Sequence, residues 1–213
     1  MKRKRCFIWG GVLLLSFIVF TILLKTIDVQ PIGPEGSAVG FAALNGWVHD
    51  AIGVHLWWYE LTDWMGLLFV GVGLGFAVVG AIQLFRRRSL WKVERGILWL
   101  GVLYMVMAAC YVLFETFPVN YRPVILTDGL KPSYPSSHTL LSICVMSTAI
   151  LQCKWLLRER KRQRRWSAGF CAALMMVTTA GRILAGVHWI TDILGGILLG
   201  AALVELYRGI TEG

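Results

Sequence analysis

Three short polar clusters interrupt an apolar chain and hold the side chains with the clearest chemistry. They are Tyr121-Arg122-Pro123, Pro135-Ser136-Ser137-His138, and Arg182 followed by His188 and Asp192. Guanidinium groups bind phosphate oxygens, and imidazoles transfer protons or attack phosphorus. The clusters therefore supply the groups needed to cleave a phosphate ester.

The third cluster contains a histidine and an aspartate at helical spacing. His188 and Asp192 are one helical turn apart, which places both side chains on one face near the start of a helix. The carboxylate can then hold one imidazole nitrogen and leave the other with its lone pair free. His188 is thus a candidate nucleophile, although such a pair is also common as a helix cap.

Two arginines are the candidate anion-binding groups. A guanidinium stays charged at any working pH and can bind two phosphate oxygens at once. Arg122 and Arg182 can thus stabilise the charge that builds up on the equatorial oxygens during phosphoryl transfer. For Arg122, the alternative is a side chain that extends to lipid head groups at the membrane surface.

The second cluster comes directly before an apolar run of helical length. Its backbone N–H groups and the Ser136 hydroxyl are therefore predicted to bind an anion at a helix N-terminus. His138 is then placed to protonate the leaving group and later to accept a proton from water. Read alone, the cluster is also a good helix cap.

Membrane helices are the elements that must position these clusters. Of the 213 residues, 57% are hydrophobic, and six apolar blocks approach the length of roughly 17–25 residues that spans a bilayer. The sequence predicts an all-α integral membrane bundle that forms a single domain over residues 1–213, with the motif-bearing part at about 96–206. The predicted spans are Cys6–Leu24, Asp63–Phe85, Gly96–Phe114, Thr139–Leu157, Ser167–Ala185 and Trp189–Leu206.

Basic residues predict the orientation of the bundle. Dense groups of Lys and Arg lie at the N-terminus, between the second and third spans, and between the fourth and fifth spans. The positive-inside rule then places both chain termini in the cytoplasm and the polar clusters on the outer face of a bacterial-type cytoplasmic membrane. Because these residues flank apolar spans, the net charge of +9 favours contact with membrane lipids over nucleic acid.

The outer side carries two further features. The membrane boundary there is predicted to hold a belt of tryptophans, which are Trp57, Trp58, Trp64 and Trp189. Residues 37–55 place apolar side chains at helical spacing, which fits either a helix on the outer leaflet or a folded cap on the bundle. His49 and His55, in the same segment, have no partnered motif and are interpreted as ordinary interfacial histidines.

Together the clusters resemble the tripartite signature of the type 2 phosphatidic acid phosphatase superfamily. The resemblance rests on Arg122-Pro123, Pro135-Ser136-x-His138, and Arg182 with His188 and Asp192, in this order and spacing. It implies a six-helix membrane phosphatase with a phosphohistidine intermediate and neither metal nor cofactor. The implied substrate is a lipid phosphate: phosphatidic acid, phosphatidylglycerol phosphate or a polyprenyl diphosphate.

The same resemblance implies a role for each matching residue. His188 would be the nucleophile, Asp192 its orienting partner and His138 the acid and base. The phosphate would be surrounded by Arg122, Ser136, Ser137 and Arg182.

Three positions depart from the superfamily pattern. The pattern has Lys where this chain has Glu115, Gly where it has Ser137, and Ser where it has Gly181. Glu115 would oppose phosphate binding by like charge, unless it pairs with one of the arginines. Lys131 in the same loop can replace the missing positive charge, and Tyr121 beside Arg122 is a further candidate modulator.

Two other functions remain open. A lipid-linked phosphotransferase would use the same phosphohistidine and pass the group to an acceptor other than water. A non-catalytic lipid-phosphate binder is suggested by Glu115 and Gly181. A transporter is less favoured, because the ionisable residues lie at one end of the bundle rather than near the bilayer midplane. The sequence does not indicate an oligomeric state.

Overall fold

The computed structural model describes residues 2–126 and 129–211, and the regular structure in them is helical. Two single-turn 3-10 helices, Pro34–Gly36 and Leu90–Lys92, lie in connecting segments. The prediction of an all-α fold is confirmed. The α-helices of this part of the chain are α1 Lys2–Leu24, α2 Ala42–Ile52, α3 Leu56–Arg87, α4 Arg95–Thr116, α5 Ser137–Leu156, α6 Lys161–Leu184 and α7 Ile190–Thr211.

Six of these helices, α1 and α3 to α7, are long and apolar enough to cross a membrane. Their lengths of 20–32 residues meet or exceed the roughly 17–25 residues that a bilayer requires. The predicted set of six spans is confirmed. α3 is the longest at 32 residues, and at 1.5 Å per residue it measures about 48 Å, well beyond a hydrocarbon core of about 30 Å.

Two helices begin well before the predicted spans. α3 starts at Leu56 rather than Asp63, and α6 starts at Lys161 rather than Ser167. The predicted starts were wrong because they followed the ends of the apolar runs. A charged or aromatic residue ends an apolar run, but Lys, Arg and Glu are good helix formers and do not end a helix. Asp63 therefore lies about two turns inside α3.

Close packing of α5 on α7 brings two of the polar clusters together. α7 also packs along α1, while α5 lies against both α6 and α7. A Cβ atom at Gly196 of α7 would lie 2.9 Å from the Ser136 carbonyl oxygen, and one at Gly200 would lie 3.0 Å from Ile143 of α5. These small residues let the helix backbones approach closely. The start of α5 consequently meets the start of α7.

Tyr134 anchors the loop that carries the second cluster. Its ring is buried between Phe17 of α1 and Phe114 of α4. Its hydroxyl lies 2.7 Å from the Thr21 hydroxyl, so this polar group is paired inside the core. Burial raises the pKa of Tyr134. The loop is thereby fixed to two helices before α5 begins.

The short helix α2 packs as a cap on the bundle. Asn45 is buried and its side-chain amide donates to the Thr191 hydroxyl at 3.0 Å, which joins α2 to α7. Leu44 and Trp47 on the outer side of α2 are exposed. The contact with α7 is what the cap alternative for residues 37–55 predicts, while a position on the outer leaflet stays a prediction. The His49 ring lies 5.5 Å from the Trp189 ring, so His49 belongs to the contact between cap and bundle.

Candidate active site

Asp192 is held rigidly at the start of α7 beside His188. Its Oδ2 atom accepts the backbone N–H of Trp189 at 2.9 Å, and its Oδ1 atom accepts the Asn120 side-chain amide at 3.2 Å. His188 Nδ1 lies 3.5 Å from the same Oδ2 atom. The carboxylate therefore faces Nδ1, and His188 Nε2 has no hydrogen-bond partner within the described residues. The four-residue spacing predicted this pairing, but His188 lies in the turn before α7, which begins at Ile190, rather than on the helix.

Burial favours the neutral form of His188. The side chain is almost completely enclosed, and this desolvation lowers the pKa of His188 below its ordinary value. The Asp192 carboxylate acts in the opposite direction, while the positive charges of Arg122 and Arg182 lower the pKa further. A neutral imidazole has the lone pair that a nucleophile requires.

Arg182 is a fully buried cation at the end of α6. Its exposure is 0%, and its Nη2 atom donates to Asp63 Oδ1 of α3 at 2.5 Å. A buried charge is stable only when it is paired, which makes Asp63 its counter-ion. The remaining Nε and Nη1 atoms are buried without a partner within residues 2–126 and 129–211. These donors are suited to bind an anion.

Tyr59 supports both arginines from one side. Its ring centroid lies 5.1 Å from the Arg182 guanidinium carbon and 5.9 Å from that of Arg122. A cation over an aromatic face is attracted by the negative face of the ring. The two guanidinium groups therefore share one support, although one belongs to a loop and the other to α6.

His138 lies in the first turn of α5 and faces α3. Its Nε2 atom is 3.2 Å from Asp63 Oδ1, the oxygen that also receives Arg182. A Cβ atom at Gly66 would lie only 2.8 Å from the imidazole ring, so glycine at this position gives the ring its space. His138 Nδ1 is buried, with no hydrogen-bond partner in the described structure.

The helix start at Ser136 and Ser137 only partly matches its predicted role. Ser136 is buried, and its backbone N–H donates to the Asp192 carbonyl oxygen at 3.0 Å. This N–H group cannot also bind an anion, so that part of the prediction is wrong. The Ser136 hydroxyl accepts from Thr139 at 3.1 Å. The first N–H groups of α5, from Ser137 onward, have no acceptor within the helix.

The loop after α4 fixes Arg122 through its backbone. The Arg122 N–H donates to the Lys131 carbonyl oxygen at 3.0 Å, within a single antiparallel bridge between Tyr121 and Pro132. The Tyr121 carbonyl oxygen accepts the indole N–H of Trp189 at 2.7 Å. Tyr121 and Lys131 thus contribute backbone contacts, and the Lys131 side chain is exposed.

Trp189 is not part of an interfacial belt, and this prediction was wrong. Its side chain is buried, with 2% of its surface exposed. The position beside a helix start suggested a membrane boundary, yet the indole packs inward and ties the first cluster to the third. Trp57 and Trp64 are exposed, as expected for residues at an interface.

A groove of about 490 Å³ lies between α3 and α5 and begins at Asp63 and His138. Asp63 and His138 line its polar end, and Leu67, Val70 and Leu141 line its apolar part. The site is therefore continuous with a surface that an apolar chain can contact.

Comparisons with known proteins agree with this arrangement. A sequence model of the PAP2 superfamily matches residues 115–211, which contain all three polar clusters. Over these residues the chain is similar to the PAP2 superfamily.

Two relatives extend the similarity beyond the matched segment. The chain is 26% identical over 204 residues to phosphatidylglycerophosphatase B of Bacillus subtilis (strain 168), covering 92% of this chain and 93% of that protein. The crystal structure of a transmembrane PAP2 type phosphatidylglycerolphosphate phosphatase from Bacillus subtilis has the same fold. It matches with a TM-score of 0.70 and 18% identity over 95% of this chain and 96% of that one. The prediction of a membrane phosphatase is confirmed.

The structure explains one departure from the PAP2 pattern and locates another. A Cβ atom at Gly181 would lie 2.7 Å from Thr62 and 3.0 Å from the Trp58 ring, so the packing of α3 leaves no space for a serine. Glu115 lies exposed beside the Tyr111 side chain. The suggested pairing of Glu115 with Arg122 or Arg182 does not occur within 4.0 Å among the described residues.

Asp63, Tyr59 and Asn120 are site residues that sequence reasoning missed. Asp63 was interpreted as the first residue of a span, and the other two lie outside the PAP2 motifs. One signal was available for α3: Tyr59, Asp63 and Gly66 follow one another at intervals of four and three residues, which places them on one helix face. An ionisable residue inside a membrane helix is a functional candidate by default.

No metal site is formed by the side chains that the structure describes. Groups of three or more His, Cys, Asp or Glu placed to hold a metal ion do not occur among residues 2–126 and 129–211. Arg122 and Arg182 carry positive charge at the site, where His138 and His188 supply two imidazoles.

Proposed function

We propose that this phosphatase hydrolyses a phosphomonoester or diphosphate of a membrane lipid through a phosphohistidine intermediate. One observation carries the proposal: donors of Arg182 and the ring nitrogens of His188 are buried without a hydrogen-bond partner in the described residues, and the Arg182 charge acts on the His188 ring. An anion bound by the arginine would be presented to a nucleophile that Asp192 orients. Phosphate bound in this way would be ready for in-line attack.

In the first half-reaction, the His188 Nε2 lone pair forms a bond to phosphorus and the bond from phosphorus to the ester oxygen breaks. His138 gives its proton to the departing oxygen. The Nδ1–H of His188 faces Asp192, which stabilises the positive charge that develops on the ring. Arg122 and Arg182 stabilise the charge on the equatorial oxygens.

In the second half-reaction, water replaces the histidine. His138, now without its proton, accepts one from water as the water oxygen bonds to phosphorus and the bond from phosphorus to nitrogen breaks. Inorganic phosphate leaves, and both histidines return to their starting protonation states. No step requires a metal ion or a cofactor.

The groove between α3 and α5 supports a lipid substrate. Its polar end reaches Asp63 and His138, while Leu67, Val70 and Leu141 line the part that faces the membrane. A head group can therefore enter the site while its acyl chains stay in an apolar environment. Phosphatidylglycerol phosphate is the first substrate to test, since both relatives are named for it, followed by phosphatidic acid and polyprenyl diphosphates.

We further propose that the site faces outward and that both termini lie in the cytoplasm. An even number of spans returns the chain to its starting side, and the three dense basic groups fall on the side of the termini. Such groups are retained on the cytoplasmic side of membranes. Cysteine labelling with a reagent that cannot cross membranes tests this at Lys131→Cys, at the site end, and Lys92→Cys, at the other.

Phosphate release by the purified protein in detergent tests the function. Wild-type protein, His188→Ala and the control His55→Ala are given phosphatidylglycerol phosphate, phosphatidic acid and undecaprenyl diphosphate in turn. His55 is an exposed histidine at the start of α3, and its ring lies against the Ile52 carbonyl oxygen. We expect release by wild type and His55→Ala, and a loss of at least about 10³-fold in His188→Ala.

Equal release by wild type and His188→Ala would refute the mechanism. Transfer of phosphate to another lipid, without free phosphate, would instead support the phosphotransferase. Wild-type activity in excess EDTA is expected; a complete loss that magnesium restores would contradict a reaction without metal.

A further inference from the structure

We infer that Asp63 is a positioning residue for this reaction, orienting the acid-base histidine and the buried arginine together. The inference rests on the proposed function. Asp63 belongs to α3, far outside the matched residues 115–211. A single oxygen, Oδ1, lies 2.5 Å from Arg182 Nη2 and 3.2 Å from His138 Nε2. It thus connects groups from three helices.

The face of α3 around Asp63 has the shape that this role requires. Tyr59, one turn before Asp63, lies against the guanidinium groups of Arg122 and Arg182. Gly66, one turn after it, leaves space for the His138 ring. Three residues on one face of α3 therefore shape the site: Tyr59 through its ring, Asp63 through its carboxylate, and Gly66 by leaving room for His138. α3 is a wall of the site and not only a membrane anchor.

Asp63 determines which nitrogen of His138 is available for proton transfer. With Nε2–H directed at the carboxylate, the proton that moves must be carried by Nδ1. His138 Nδ1 is buried without a partner among the described side chains. Asp63 would then act on His138 as Asp192 acts on His188, and each imidazole would have its own carboxylate.

The balance of the reaction does not change with this assignment. For this step His138 must carry a proton on both nitrogens when the phosphate is bound. Its Nδ1 proton then goes to the ester oxygen as the bond to phosphorus breaks, the ring keeps Nε2–H, and a proton from water returns to Nδ1 in the second half-reaction. Asp63 keeps its charge throughout. Asp63 accepts the hydrogen bond of Arg182 Nη2, so that Arg182 Nε and Nη1 stay available to bind the phosphate.

A double-mutant cycle tests the link to His138. The value of kcat/KM for phosphatidic acid is measured for wild type, Asp63→Asn, His138→Ala and the double variant, with Asp50→Asn as the control. Asp50 is an exposed acid on α2, so its variant makes the same chemical change at the protein surface. We expect a loss of about 10²-fold for Asp63→Asn, the scale of general acid catalysis, and less than about 3-fold for Asp50→Asn.

In the His138→Ala background, Asp63→Asn should lower kcat/KM by less than about 10-fold, because the imidazole that Asp63 orients is already absent. Equal losses in the two backgrounds would overturn the inference. p-Nitrophenyl phosphate gives a second measurement, since its leaving group needs no proton. Its kcat/KM should fall much less in Asp63→Asn than that for phosphatidic acid, whereas a merely structural defect would lower both equally.

Asp63→Glu separates positioning from charge balance. It keeps the negative charge near Arg182 but moves the carboxylate by one methylene. We expect normal thermal unfolding in detergent and a loss of at least about 10-fold in kcat/KM. Wild-type activity in Asp63→Glu would contradict a positioning role. This test holds even if Asp63→Asn fails to fold. Inactive wild-type protein would refute the proposed function instead, which keeps the two failures distinct.

Discussion

Gly181 of α6 and Thr62 of α3 are in direct contact at the base of the site. A Cβ atom on Gly181 would lie 2.7 Å from Thr62 Cγ2, closer than two carbon atoms can pack. Thr62 cannot move away easily, because its hydroxyl bonds the Trp58 carbonyl oxygen at 2.7 Å. The serine of the superfamily pattern is thus excluded here by helix packing, and this contact places α3 beside Arg182.

Gly181→Ser should therefore destabilise the protein rather than improve it. Overpacking of a tight contact costs about 1–3 kcal/mol, so the unfolding temperature in detergent should fall. Gly169→Ser, on the same helix where a Cβ atom meets nothing within 4 Å, is the matched control. Thr62→Ser removes the clashing methyl group and keeps the hydroxyl, so it should recover part of the loss in a double variant. No recovery would argue against this contact as the cause.

Activity should persist below pH 6.5, the ordinary pKa of histidine. Burial lowers the pKa of His188, and the nucleophile must be neutral, so the acid limb of kcat/KM should lie below that pH. Arg122 and Arg182 favour the neutral ring and Asp192 opposes them. An acid limb above pH 6.5 that moves with substitution of Asp192 would contradict this assignment.

The free energy of unfolding should also fall at acidic pH. The unfolded chain takes up a proton at His188 more readily than the folded chain does, because the folded pKa is the lower one. This group therefore lowers the free energy of unfolding as pH falls below about 6.5. Unfolding temperatures measured between pH 7.5 and 5 should fall less in His188→Gln than in wild type. Identical curves would show that His188 is not buried in its neutral form.

Arg122→Lys should not preserve activity although it preserves charge. Lysine lacks the planar fork that binds two phosphate oxygens and cannot stack on Tyr59 in the same way. We expect phosphate release to fall about 10²-fold, the cost of removing one preorganised donor. Lys131→Gln, which removes a charge from the same loop at an exposed position, should cost less than about 3-fold. A large loss in Lys131→Gln would instead identify Lys131 as a phosphate ligand.

Glu115→Gln should change phosphate release by less than about 3-fold. The carboxylate is exposed beside Tyr111 and pairs with neither arginine within 4.0 Å in the described structure. Interactions between exposed charges contribute little. Phosphate release and KM are compared with those of Asp192→Asn, which removes a buried charge from the site itself. A strong gain in affinity for Glu115→Gln would show that the carboxylate repels the substrate.

Much of this protein could be predicted from local patterns. Apolar blocks identified six spans because membrane helices must be apolar along their length. The four-residue spacing of His188 and Asp192 predicted that their side chains meet, and they do, although only Asp192 belongs to α7 and His188 lies just before it. The ends of helices were less predictable, as α3 shows, because composition changes at a membrane boundary while the helix continues through it.

The sequence by itself determined the all-helical membrane fold, the three polar clusters and the His188–Asp192 pair, since each depends on residues that are close along the chain. Only the tertiary structure decided that Asp63 and Tyr59 join the site, that Trp189 is buried, and that Gly181 has no space for a side chain. These facts depend on how α3 lies against α5 and α6. The spacing of residues along one helix does not indicate which residues of another helix will pack against it.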